Sequence, residues 1–111
     1  MDYRILGRTG LRVSVMGLGA GGPSRLGQRD NTNTEAESVD ILLEGLDSGI
    51  NFIDTAEVYG TETIVGKAVA QRKRDEIIIS TKKRSHVDEL NVKDTISSLE
   101  KSLKRLQTDY V

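Results

Sequence analysis

The feature that most constrains the fold of this chain is an alternation of short apolar runs with amphipathic helical segments. The strongest run, residues 76–80, contains three consecutive isoleucines. Consecutive β-branched residues without polar alternation are typical of a strand buried on both faces, as in a parallel sheet. Two earlier runs, residues 16–19 and 50–53, are separated from each other and from the third by helical patterns. Strands that alternate with helices in this way predict right-handed parallel crossovers.

The helical segments carry recognisable end signals. Thr34 and Glu37 form a capping-box pattern before the first helix, and Gly49 is placed to end it. The second helix is predicted over residues 61–71, and Asn91 is the predicted N-cap of the third. In the third helix, an apolar stripe at helical spacing predicts the buried face: Val92, Ile96, Leu99, Leu103 and Leu106.

The remaining segments complete the predicted order of elements. Residues 3–6 and 11–15 flank a turn-forming stretch and predict a β-hairpin, whereas residues 20–33 predict a long loop. Residues 109–111 are interpreted as the start of another strand. A hairpin followed by β-α-β-α-β-α-β leaves both a doubly wound sheet and a (β/α)8 barrel open. Because a barrel needs about 250 residues, we expect this chain to be the amino-terminal part of something larger.

Composition excludes several functional classes. The 111 residues include no cysteine, which excludes disulfides, thiolate zinc sites and cysteine nucleophiles. The net charge of −1 provides no electrostatic reason to expect nucleic acid or an anionic membrane as a partner. No apolar run approaches the ~18 residues of a membrane span, and the N-terminus lacks the apolar region of a signal peptide. We therefore expect a cytoplasmic protein.

Three chemically useful side chains follow predicted strands: Asp54, Tyr59 and Lys82. The carboxyl ends of parallel strands converge at one edge of a sheet, so these groups are expected to meet there. An ammonium beside a phenol lowers the pKa of the phenol and makes it a usable acid, and a carboxylate keeps the ammonium charged. Such a trio suits protonation of a carbonyl oxygen while hydride reaches the carbon. Taken singly, each residue also has a structural interpretation, as a turn aspartate, a packing tyrosine or a solvated lysine.

Several segments, in this order, resemble the aldo-keto reductases: GRTGLRVS (7–14), MGLG (16–19), GINFIDTAEVYG (49–60), VGKA (65–68), IIISTK (77–82) and SLKRLQTDYV (102–111). The resemblance covers nearly the whole chain. It implies an α/β fold of the (β/α)8 TIM-barrel type whose amino end is closed by a β-hairpin. It also implies an oxidoreductase that reversibly reduces an aldehyde or ketone with NADPH (or NADH). On this basis residues 1–111 are the amino-terminal part of a single barrel domain.

The resemblance also implies roles for individual residues. Tyr59 matches the general acid, Lys82 matches the lysine that tunes it, and Asp54 matches the aspartate paired with that lysine. Gly19 and Ala20 match the first strand end, which borders the nicotinamide ring, and we count Asp54 with them as cofactor-binding. No residue is predicted to bind a metal.

One member of the family's catalytic tetrad has no match in this chain. The family's histidine lies at the end of the fourth strand, whereas His86 follows the third and is interpreted as a surface residue. We therefore expect residues 1–111 to be inactive alone and to self-associate through the open edge of the barrel.

Two alternatives remain at this point. One is a non-catalytic binding or regulatory member of the same fold. The other is a barrel enzyme that uses Lys82 as a Schiff-base nucleophile, which requires an uncharged lysine and is opposed by Asp54.

Overall fold

The computed structural model describes residues 1–83 and 91–111 of the chain. At the amino terminus, β1 (Tyr3–Ile5) and β2 (Arg12–Ser14) form an antiparallel pair, which confirms the predicted hairpin. The connecting turn reverses through Gly7 and Gly10, whose φ values of +53° and +75° are readily adopted only by glycine. The hairpin is tied to the main sheet because the Asn51 side chain accepts a hydrogen bond from the backbone N–H of Ser14 at 2.7 Å.

The main sheet has three short parallel strands: β3 (Leu18–Gly19), β4 (Phe52–Asp54) and β5 (Ile78–Ser80). The strand order is β3–β4–β5, and Asp54 is paired with Gly19 on one side and with Ser80 on the other. The predicted parallel arrangement of the strands is therefore confirmed. The strands are shorter than predicted, in part because residues 74–76 form a 3₁₀ turn before β5.

Three helices follow the strands: α1 (Glu35–Asp47), α2 (Glu62–Val69) and α3 (Val92–Leu106). The capping box of α1 is confirmed, since the Thr34 hydroxyl accepts from the backbone N–H of Glu37 and the Glu37 carboxylate accepts from that of Thr34. Gly49 follows the end of α1 with a φ of +91°. The Asn91 side chain caps α3 by accepting from the backbone N–H of Lys93 at 2.9 Å.

The hydrophobic core lies between the sheet and the helices. Ile53 of β4 and Ile79 of β5 are buried together with Leu42 of α1, Val65 of α2 and Leu106 of α3. Their neighbours along the two strands point to the opposite face and are only half-buried. All three helices therefore cover one face of the sheet. Among the described residues, no helix is both long and apolar enough to cross a membrane.

The prediction of which face of α3 is buried is wrong for the first half of the helix. Along the apolar stripe, Val92, Ile96 and Leu99 are exposed, Leu103 is half-buried and Leu106 is buried. The other buried positions of α3 are Ser98 and Ser102. Ser102 faces α2, where its hydroxyl donates to Glu62, and the two helices touch at Gly66, where an added Cβ would overlap the carbonyl oxygen of Arg105. A stripe of large side chains would not fit this close approach.

The predicted strand at residues 109–111 is also absent from the described structure. The segment is held by Arg74 instead. The Arg74 guanidinium donates to the backbone oxygen of Tyr110 at 2.6 Å and lies 3.9 Å from the centre of the Tyr110 ring. A second nitrogen of the same guanidinium donates to Thr108 Oγ1 at 2.6 Å. His86 lies outside the described residues.

Candidate active site

The carboxyl ends of β4 and β5 bring two of the predicted site residues together. The Lys82 ammonium donates to Asp54 Oδ1 at 2.7 Å and to the backbone oxygen of Thr55 at 2.7 Å. Backbone hydrogen bonds continue the strand pairing past the sheet, from Thr55 N–H to the oxygen of Ser80 and from Glu57 N–H to the oxygen of Lys82. The lysine and the aspartate are therefore joined through their side chains, and the backbone hydrogen bonds hold together the two segments that carry them.

The pKa of Lys82 is raised above its ordinary value. Partial burial alone would lower this pKa, but the hydrogen bond and charge of Asp54, together with the nearby Tyr59, outweigh it. The Lys82 side chain is 49% exposed and that of Asp54 is 41% exposed, so solvent screens their attraction. The ammonium is therefore charged at neutral pH, which argues against a Schiff-base mechanism through a neutral lysine.

Tyr59 lies at the same edge, on a short 3₁₀ turn (Glu57–Tyr59) that the sequence did not predict. The Lys82 ammonium lies 5.2 Å from the centre of its ring. Gly21 packs against the same ring, because an added Cβ there would lie 2.6 Å from Tyr59 Cε2. Gly60 closes the turn with a φ of +73°. The structure thus brings together the three residues predicted for catalysis.

Gly19 and Ala20 lie beside this cluster but differ in their exposure to solvent. Gly19 is exposed next to Asp54, and an added Cβ would meet nothing within 4 Å, so the space beside its backbone is open. Its contact with a cofactor stays a prediction. Ala20 is fully buried. Its N–H donates to the oxygen of Asp54 at 2.8 Å, and its oxygen accepts from the Thr61 hydroxyl at 2.8 Å. Ala20 therefore ties β4 and α2 to β3, and its contact with a cofactor stays a prediction.

Sequence reasoning missed a buried carboxylate next to the cluster. The Glu62 side chain is 1% exposed, and its Oε2 lies 2.7 Å from two nitrogens of Arg105 and 3.1 Å from the Ser102 hydroxyl. Its Oε1 accepts from the Thr81 hydroxyl at 2.6 Å. A lone glutamate in a helix is far more often exposed, so Glu62 itself gave no sign of burial. The one sequence signal was the helical spacing of the polar residues on α3.

The described part of the chain is therefore an α/β protein with a carboxylate, a charged lysine and a tyrosine at the carboxyl ends of parallel strands. The sequence profile described as the Aldo/keto reductase family matches residues 16–111. The chain belongs to the aldo-keto reductase family.

Individual relatives agree with this assignment. Aldo-keto reductase YhdN of Bacillus subtilis (strain 168) is 39% identical over 126 residues, which cover 100% of this chain and 36% of YhdN. A thermostable aldo-keto reductase, Tm1743, is 37% identical in sequence to this chain. Its crystal structure in complex with the inhibitor epalrestat matches with a TM-score of 0.82, and the match covers 100% of this chain and 40% of that one. A Bombyx mori aldo-keto reductase in complex with NADP is 26% identical with a TM-score of 0.74, covering 94% and 34%.

These comparisons define both the fold and the extent of the match. The hairpin and the parallel βα units have the fold of the amino-terminal part of an aldo-keto reductase (β/α)8 barrel. The chain spans only 34–40% of the length of these three relatives.

Proposed function

We propose that this protein is an NAD(P)H-dependent oxidoreductase that reversibly reduces an aldehyde or ketone to an alcohol. The observation that carries the proposal is the convergence of Asp54, Tyr59 and Lys82 at one edge of the sheet, with Lys82 charged and bonded to Asp54. Family membership supports it, and so does the NADP bound by the Bombyx mori relative. The proposed partner is a small carbonyl compound, and the proposed location is the cytoplasm.

In this proposal each residue has one task. Tyr59 donates its hydroxyl proton to the carbonyl oxygen, and the Lys82 ammonium stabilises the negative charge that develops on the phenol. Asp54 keeps Lys82 charged and fixed in direction. NADPH (or NADH) supplies the hydride when bound. Gly19, Ala20 and Asp54 are the residues that we propose to border the nicotinamide ring.

We also propose that residues 1–111 are the amino-terminal part of one barrel domain and supply three of its four catalytic residues. Two observations support this proposal. The chain spans 36% of YhdN, and the apolar side chains of Val92, Ile96 and Leu99 are exposed along α3. Alone, we expect the 111 residues to lack activity and to self-associate through the open edge next to β5, because an uncovered strand edge is a template for pairing.

Replacement of Tyr59 by Phe tests the proposed reaction. The assay is the loss of NADPH absorbance with a reactive aldehyde, measured on the protein at its full natural length. Tyr59→Phe removes the proton donor but keeps the ring, so kcat is expected to fall by about 10²- to 10⁴-fold. NADPH affinity, followed by fluorescence titration, is expected to be nearly unchanged. Tyr110→Phe is the matched control, because the Tyr110 hydroxyl is exposed and donates to Arg74 away from the site. Wild-type turnover in Tyr59→Phe would refute the assignment.

A further inference from the structure

One polar face of α3 carries Ser98, Ser102 and Arg105, and two glutamates link this face to the segment that carries Lys82. In the first contact, the Ser102 hydroxyl and the Arg105 guanidinium bind Glu62, which accepts a hydrogen bond from Thr81, the residue before Lys82. These contacts join α3, α2 and the end of β5 in one network around the buried Glu62 carboxylate.

The second contact reaches Lys82 through the turn after β4. The Ser98 hydroxyl donates to Glu57 Oε2 at 2.8 Å, and the backbone N–H of Glu57 donates to the oxygen of Lys82 at 3.0 Å. Ser98, Ser102 and Arg105 follow one another at helical spacing, so one face of α3 makes both contacts.

The direction of the Lys82 side chain depends on how Thr81 is held. Successive side chains of an extended segment point to opposite faces. Thr81 points towards the helices, where it meets Glu62, and Lys82 points the other way, where it meets Asp54. A hydrogen bond that fixes Thr81 on the helix side therefore fixes the direction from which Lys82 approaches Asp54 and Tyr59.

Stability alone is a weak reason for an ion pair at this place. Replacement of buried ion pairs by apolar residues of similar volume is often neutral or stabilising, and here the Glu62 carboxylate must leave water although the Arg105 side chain stays 35% exposed. The Glu62 carboxylate is 1% exposed, and it reaches the end of β5 through a single hydroxyl. The arrangement therefore suggests a role in geometry.

We propose that the ion pair between the buried Glu62 carboxylate and the half-buried Arg105 is a positioning element for Lys82 and acts through the Thr81 hydroxyl. Glu62, Arg105 and Thr81 touch neither substrate nor cofactor in this proposal, and they set the position of the side chain that does. The inference rests on the proposed function, since it assigns the residues that orient the proposed Lys82–Tyr59 acid.

Thr81→Val is the informative variant, because it removes the hydroxyl, keeps the side-chain shape and leaves Glu62 bound to Arg105 and Ser102. In the full-length protein we expect kcat to fall by roughly 10- to 100-fold, as misplacement of a catalytic group by about 1 Å does. NADPH affinity is expected to change by less than about twofold. Thr81→Ser restores the hydroxyl and is expected to restore kcat. The matched control is Thr95→Val, whose hydroxyl bonds the backbone oxygen of Asn91 at the start of α3.

A direct titration of Lys82 provides a readout that does not depend on turnover. Lysines are labelled by ¹³C reductive methylation, followed by NMR, and the Lys82 signal is assigned with Lys82→Arg. If Thr81→Val loosens the contact with Asp54, the pKa of Lys82 falls from its raised value towards 10.5, and Thr81→Ser leaves it raised.

Each outcome decides the inference. If Thr81→Val lowers only the midpoint of unfolding and leaves kcat and the Lys82 titration unchanged, Glu62 and Arg105 are structural and the inference fails. If Tyr59→Phe is inactive while Thr81→Val is not, the proposed function stands without it. If Tyr59→Phe is fully active, the proposed function fails, and the titration still decides whether Thr81 positions Lys82. Should Thr81→Val not fold, Ser102→Ala, which removes one donor from the Glu62 carboxylate, tests the inference with the same two readouts.

Discussion

Gly66→Ala is the sharpest test of the packing that supports the site. An added Cβ would overlap the carbonyl oxygen of Arg105 and lie 2.9 Å from the carbonyl carbon of Leu106. These are backbone atoms of α3, which cannot rotate away, so we take the upper end of the usual overpacking cost, about 3 kcal/mol. Alanine recovers about 1 kcal/mol of helix propensity over glycine. The free energy of unfolding is therefore expected to fall by about 2 kcal/mol.

The assay is urea unfolding followed by circular dichroism, with Gly45→Ala in α1 as the matched control. The nearest atoms to a Cβ at Gly45 would be both methyl carbons of Leu18, at 2.8 Å, and its Cγ, at 3.2 Å; they belong to a side chain that can rotate, not to a backbone. The gain in propensity and a mild overpacking cost, each about 1 kcal/mol, are then expected to cancel. If Gly66→Ala is as stable as the wild type, α2 and α3 do not touch at Gly66, and the explanation of the buried serines of α3 is wrong.

Three further predictions use the same unfolding assay. Thr55→Val is expected to leave stability unchanged or raise it by up to ~1–3 kcal/mol, because Thr55 Oγ1 is buried without a hydrogen-bond partner in the described part of the chain; a clear loss would show that the hydroxyl is paired. Thr34→Ala is expected to cost about 1 kcal/mol, because it removes the oxygen that caps the Glu37 N–H, and no loss would contradict that role. Asp54 raises the pKa of Lys82 in the folded protein above the ordinary lysine value of 10.5. The contact therefore stabilises the fold fully below pH 10.5, and this stabilisation is lost as the pH rises through the folded-state pKa. Lys82→Met is expected to remove this part of the loss of stability at alkaline pH, and an unchanged pH profile of stability would refute the prediction.

The site was predictable from the sequence where it depends on strand ends. A parallel sheet places the carboxyl ends of its strands at one edge, so a residue at each end meets its neighbour whatever the exact strand length. Asp54 and Lys82 meet in this way although β4 and β5 are shorter than predicted. The position of Tyr59 was less predictable, because it depends on a 3₁₀ turn and on contact with Gly21, which is remote in sequence.

Local patterns determined the elements of this protein. The capping box at Thr34, the glycine after α1 and the Asn91 cap act over a few residues, so they could be recognised without knowledge of the fold. The tertiary structure alone decided which face of α3 is buried. That helix carries an apolar stripe and a polar stripe at the same helical spacing, and periodicity cannot choose between them. Two features of α2 select the polar stripe: the close approach of the helices at Gly66, and the buried Glu62 carboxylate, which needs hydrogen-bond donors. Both lie about forty residues earlier in the chain, so the local pattern of α3 could not reveal them.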